Sequence, residues 1–317
     1  MGKENCNLVT EFILLGFSDV PALRVFLFLV FFVIYRVTVL GNLGMIGFIW
    51  VNLQLHTPMY YFLSHLSYVD FCYSTIIVPQ ILANIINEDK SISFMRWVVQ
   101  FYLFCACVVT EVILLATMAY DCFVAISNPM LYMATISQNV CVELVSYCYL
   151  CGTVCYLLHV CLALKIPSYR SNVINNFFCD LPPLLSLACS DVTTNQLVLY
   201  IVALFTEIIS RVIILTSFLF ILIIIMRMCS SAGRSKAFST CASHLTVIIV
   251  FHGTILFIYC WPHSANKSMA MDKVTTVFYT VVIPMLNPLI YSPRNKDVKE
   301  ALRKVVNSKK FSKRIFS

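Results

Sequence analysis

Seven stretches of about 20 apolar residues, near 23–50, 59–86, 96–121, 140–164, 197–226, 239–261 and 272–292, leave this chain few ways to fold. Each is long enough to cross a hydrocarbon layer roughly 30 Å thick, and in lipid a helix satisfies its own backbone hydrogen bonds. Only 12% of the residues are charged while 60% are hydrophobic, whereas soluble domains run near a quarter charged. The spacing predicts an integral membrane protein, all-α, with one seven-transmembrane helix bundle over 23–292. The polar clusters between the runs leave no room for a large soluble domain. The opening residues Met1–Asn7 carry mixed charge, and no small-residue cleavage pattern follows the first long run, so that run is expected to stay as an anchor.

Charge sets the expected orientation. Seven crossings put the two ends of the chain on opposite faces. The stretch from Arg294 to Ser317 holds nine Lys/Arg against Asp297 and Glu300, and the turn between the fifth and sixth runs adds Arg227, Arg234 and Lys236. By the positive-inside bias both belong in the cytoplasm, which makes residues 1–22 an extracellular segment and 293–317 a cytoplasmic basic tail. Within that tail Val298, Ala301, Leu302, Val305 and Val306 have the spacing of a short amphipathic helix on the inner leaflet, with Pro293 at its start. The net charge of +7 is thus largely directed at anionic membrane lipid, worth about 1 kcal/mol per basic residue near the surface. No basic stripe with interleaved aromatics points to nucleic acid.

No enzyme is expected. The six histidines are scattered, no Gly-rich phosphate loop or metal-binding helix motif occurs, and Ser243-His244 reads as a satisfied interfacial pair. Most of the 15 cysteines sit in apolar runs, where a thiol behaves as a small hydrophobe, and Cys148-x-x-Cys151 lacks the second pair a zinc site needs. Cys179 and Cys189 differ, because they lie in the polar stretch 165–196 on the expected oxidising face, where a structural disulfide fits.

Ionisable residues inside a span are costly and mark function by default. Asp70 and Glu111 fall mid-span on neighbouring runs. Two readings stay open: a shared proton or cation held with hydroxyls such as Ser67, Ser74 or Thr110, or a polar knot that only fixes packing. Asn42 and Asn287-Pro288 add polar groups to the same layer. Arg36 sits near the centre of the first run, at about 2.5–3.5 kcal/mol on insertion scales, outweighed by its apolar neighbours. Arg211 follows Glu207 by one helical turn, the favourable order for an ion pair.

Gly41-Asn42, Pro58-Met59-Tyr60, Asp70, the MAYD element at 118–121, KAFSTCASH at 236–244 and PMLNPLIY at 284–291 give the whole chain a resemblance to the vertebrate olfactory receptors, a rhodopsin-like G-protein-coupled family. The resemblance implies a pocket for a small volatile odorant in the outer half of the bundle, coupling of the inner face to a stimulatory olfactory G protein, and residence in the plasma membrane. It also implies a Na+ site at Asp70 and Glu111, and a switch made of Asp121, Cys122, Asn287, Pro288 and Tyr291. Helical spacing nominates Phe104, Cys105 and Val108 on the third run, Val202 and Thr206 on the fifth, and Ile255 and Tyr259 on the sixth as pocket lining, with His252 as its floor.

Against the family pattern several positions depart. MAYDRYVAICNP becomes MAYDCFVAISNP, so Cys122 stands where the resemblance implies an Arg paired with Asp121. A thiol carries no permanent charge and donates only weakly. Trp97 stands where the family has the Cys that bridges to the second outer loop, and Tyr169 replaces a further loop Cys. Both changes strand Cys179 and Cys189, which are then left to join each other. His252, Phe218 and Pro293 also depart from the family's usual residues. The expectation is an odorant receptor whose signalling is impaired or absent. The rivals are a non-signalling, poorly folded remnant retained in the endoplasmic reticulum, and a transporter or channel, against which the absence of an internal hydropathy repeat argues.

Overall fold

The computed structural model describes residues 6, 9–14, 21–87, 90–166, 168–174, 184–185, 187–228, 230–260 and 277–294, with some side chains in the sixth and seventh long helices left out. Among the described residues seven helices form the bundle: α1 (Pro21–Val51), α2 (Pro58–Ile86), α3 (Phe94–Ser127), α4 (Gln138–Ala163), α5 (Thr193–Arg227), α6 (Ser231–Cys260) and α7 (Ile283–Arg294), the last preceded by a π-helical turn, Phe278–Val282. The first five are long and apolar enough to cross a membrane, and shorter apolar stretches, His244–Thr254 and Thr280–Tyr291, lie in the last two. Every predicted span is therefore helical where described.

Boundaries moved where local chemistry overrides hydropathy. Ser93 caps α3, its hydroxyl accepting from the Arg96 N–H, and Ser137 caps α4 in the same way at Val140. The third span was predicted to stop at 121, yet α3 runs on to Ser127 and ends one residue before Asn128-Pro129, because proline disfavours helix in the residue it follows. At the far end α7 continues through Pro293 to Arg294; the rest of the tail, including the expected amphipathic helix, lies outside the described residues.

The outward faces are apolar. Val25, Phe26 and Leu29 on α1 and Leu204, Phe205 and Ile208 on α5 are all more than half exposed, as suits surfaces solvated by lipid tails. Close helix contacts use small residues. A Cβ on Gly152 of α4 would come within 2.5 Å of Thr110 Oγ1 and 2.6 Å of the Ala106 carbonyl of α3, so only glycine permits this approach. Between α1 and α7, Asn42 Nδ2 donates to the Pro284 carbonyl at 3.0 Å. Pro288, four residues on, has no N–H to offer that carbonyl, and the asparagine supplies the missing donor.

One feature departs from an all-helical reading. A three-stranded sheet caps the bundle, with β1 (Glu11–Leu14) antiparallel to β2 (Ser91–Ser93) and parallel to β3 (Val173–Ile174). Phe12 and Leu14 point into the core while Glu11 and Ile13 face out, the period-two pattern of a strand. Four residues are too few for that alternation to stand out in the sequence.

Candidate functional site

At the capped end, aromatic rings fill the positions where the resemblance implies cysteines. Phe12 lies 6.2 Å from Trp97 and 5.4 Å from Tyr169, edge-on to the latter. Trp97, fully buried, stacks on Phe101 at 5.4 Å and on Phe94 at 6.3 Å. Beside this cluster Cys189 is bonded to Cys6, 183 residues away in sequence. The expected Cys179–Cys189 pairing is thus corrected: Cys189 already holds a partner, because β1 brings the N-terminal segment across the bundle to β3. Cys179 lies outside the described residues. Burial also pushes the Tyr169 hydroxyl up to about 12, so the ring stays neutral in the cluster.

Midway through the bundle Asp70 of α2, Glu111 of α3 and Asn287 of α7 converge, all at most 3% exposed. Asn287 Nδ2 donates to Asp70 Oδ2 at 2.8 Å and lies 3.5 Å from Glu111 Oε1. A single amide therefore serves two carboxylates. Asp70 Oδ1 makes no hydrogen bond among the described residues. Two of the three hydroxyls named as helpers turn elsewhere: Ser74 donates to the Asp70 backbone carbonyl and Thr110 to that of Ala106.

Towards the opposite end Asp121 is 2% exposed and accepts a hydrogen bond from the Tyr132 hydroxyl at 2.9 Å. Tyr132 opens a single helical turn, Tyr132–Thr135, between α3 and α4. Its phenol is pushed well above the ordinary tyrosine range, first by burial and then by the Asp121 charge, which keeps it a donor. Asp121 is therefore not bare, as the sequence implied; a neutral phenol takes the place of the absent cation. Cys122 faces α6, with its sulfur 2.9 Å from that of Cys241. Close by, the Tyr291 hydroxyl and His244 Nδ1 are 3.2 Å apart, both residues at most 3% exposed, so His244 is buried and partnered within the bundle, while the Ser243 side chain lies outside the described residues.

The nominated pocket residues divide. Phe104 and Cys105 are buried, Phe104 packing its ring against Tyr73 of α2 at 5.1 Å, while Val108 is half-buried. Val202 and Thr206 are half-buried, and the Thr206 hydroxyl is bonded to the Val202 carbonyl at 2.8 Å. His252 is 7% exposed, with Nδ1 3.6 Å from Glu207 Oε2, and Glu207 pairs with Arg211 at 3.0 Å as its spacing predicted. The backbones of Ile255 and Tyr259 belong to α6; their side chains lie outside the described residues. Arg36 places its guanidinium 5.6 Å from the Phe32 ring, an offset for part of its insertion cost.

Sequence reasoning passed over Cys6, Tyr132 and the partnership of Cys241. Cys241 stood inside a quoted motif, but nothing local says which sulfur it meets, and Tyr132 has no periodic signal in so short a turn.

Comparison with known proteins agrees over nearly the whole length. The family described as olfactory receptor matches residues 31–309. Human olfactory receptor 5L1 is 70% identical over 309 residues, covering 98% of this chain and 99% of the relative. Human olfactory receptor 5L2 is 68% identical over the same length, and mouse olfactory receptor 5G9 is 49% identical over 314 residues. With both the family pattern and full-length relatives in agreement, the chain is a multi-pass membrane protein of the olfactory receptor family, a family of receptors and not of enzymes.

Proposed function

We propose that this receptor binds small volatile odorants between α3, α5 and α6 and faces a stimulatory olfactory G protein with the end that carries Asp121, its signalling impaired. One observation carries the second half of this reading: Asp121 is held by the neutral Tyr132 hydroxyl at 2.9 Å while the neighbouring Cys122 presents its sulfur to another sulfur. No cation is available at this corner from position 122. A charged guanidinium carries five donors and a fixed charge, whereas a thiol has neither.

Pocket residues Phe104, Cys105, Val108, Val202 and Thr206 offer mostly apolar walls, which favour a ligand held by dispersion with one or two hydrogen bonds from the His252 and Glu207 corner. Ile255 and Tyr259 are proposed to complete that lining. A sodium ion fits Asp70 and Glu111, because Asp70 Oδ1 is a buried acceptor without a hydrogen bond among the described residues. Such an ion would supply the positive charge that two buried carboxylates lack. The proposed residence is the plasma membrane with the basic tail against anionic lipid. Retention in the endoplasmic reticulum is the competing outcome.

The test is a cyclic-AMP reporter assay with surface expression measured in the same cells. Wild type should respond weakly or not at all to an odorant panel, and Cys122→Arg should raise the response at least several-fold at equal surface level. Vigorous wild-type responses would remove the proposed impairment. Wild-type protein confined to internal membranes would favour the retained form.

A further inference from the structure

Cys122 of α3 and Cys241 of α6 are both buried, 6% and 4% exposed, and their sulfurs lie 2.9 Å apart although 119 residues separate them in sequence. Disulfide sulfurs sit about 2.05 Å apart, so the pair needs to close by less than the length of one bond. Both belong to the same packed cluster as Met118, Ala119, Ile221, Ile225 and Tyr291, which holds the two helices in register. Cys122 and Cys241 are free thiols, and among the described residues the sulfurs already joined are those of the Cys6–Cys189 bridge at the capped end.

We propose that Cys122 and Cys241 are a redox-modification site, forming a reversible disulfide that ties α3 to α6. The inference rests on sulfur geometry alone and does not require that the receptor signal. The oxidant is a small neutral peroxide, whose size and lack of charge suit a pair this enclosed. One thiol sulfur attacks the peroxide, the O–O bond breaks, and a sulfenic acid and one water form. The second sulfur then displaces the hydroxyl from the first, and that hydroxyl leaves with the second thiol's proton as another water. Two thiols are oxidised by two electrons, and one hydrogen peroxide becomes two waters. Thiol reductants reverse the bond by exchange through a mixed disulfide. Cytoplasmic thiols are ordinarily kept reduced, so at this end of the bundle the bridge reports oxidative stress and is not a constitutive staple. Once formed, it fixes the spacing of α3 and α6 beside the Asp121–Tyr132 contact.

Full-length protein in cell membranes is exposed to hydrogen peroxide, denatured in the presence of N-ethylmaleimide, and digested without reductant. The expected product is a peptide containing Cys122 joined to one containing Cys241, present in most of the chain, lost on dithiothreitol treatment and absent without peroxide. Cys122→Ala and Cys241→Ala should each abolish it, and Cys148→Ala should retain it. In detergent the oxidised wild type should unfold at a temperature a few degrees above the reduced form, with the increment absent in Cys122→Ala. The proposal is overturned if both thiols of the oxidised wild type carry N-ethylmaleimide, or if either is recovered joined to a different cysteine.

Discussion

At the capped end of the bundle three distant segments, around residues 12, 97 and 169, meet in one aromatic cluster, and a disulfide binds the N-terminal segment to the same region. At the opposite end Asp121 faces one phenol, and the position beside it holds a thiol. Both ends have lost the residue that the family resemblance implies, a cysteine at 97 and an arginine at 122. The difference lies in what can replace each. A staple holds segments together, and several kinds of contact can do that: Trp97 and Phe12 bury large rings, and Cys6 gives Cys189 another partner. A fixed positive charge is harder to substitute, because few side chains carry one and a hydrogen bond from Tyr132 satisfies a lone pair without neutralising the carboxylate.

Three measurements can break or sharpen this contrast. Trp97→Ala removes a fully buried, doubly stacked ring and should lower stability by about 3–5 kcal/mol, read by thermal unfolding in detergent. A loss under 1 kcal/mol would mean the cluster does not substitute for the missing bridge; by the same logic Trp97→Cys is a poor repair, since it removes the ring that now fills the site. Cys6→Ser should cost about 2–5 kcal/mol and free Cys189 for alkylation, while Cys179→Ser leaves the Cys6–Cys189 peptide in place. Recovery of a Cys179–Cys189 peptide from wild type would instead restore the pairing read from sequence. Tyr132→Phe should have the smallest effect, about 1.5–3 kcal/mol, because one hydrogen bond to a buried carboxylate is lost and the ring remains. A much larger loss would show that the phenol does replace the cation energetically, and the two ends would then be alike.

Much of the architecture was readable from one dimension. The seven spans followed from apolar length, and Glu207–Arg211 followed from a four-residue step along one helix, because both are properties of contiguous sequence. The convergence of Asp70, Glu111 and Asn287 was readable in outline, since burying three polar groups in lipid gives them reason to meet. Less legible were contacts made by short or unpatterned segments. Strand Glu11–Leu14 is too brief to declare its alternation, and the turn at Tyr132 carries no periodicity at all. Assigning Cys189 to Cys179 rested on both being left without the partners the family resemblance implies, and Cys6 was not weighed as a third candidate until β1 brought the N-terminal segment to β3.

Taken alone, the order of residues determined that this protein lives in lipid, how many helices it sends through, and which of its charges are anomalous. Transfer of apolar side chains out of water acts on each segment separately, so hydropathy can be summed along the chain. Which sulfur Cys122 meets, what stands in for the cation at Asp121 and what fills the place of the lost staple were decided only when helices far apart in sequence packed together. Those contacts depend on rotation and depth of one helix against another, quantities that no single segment encodes.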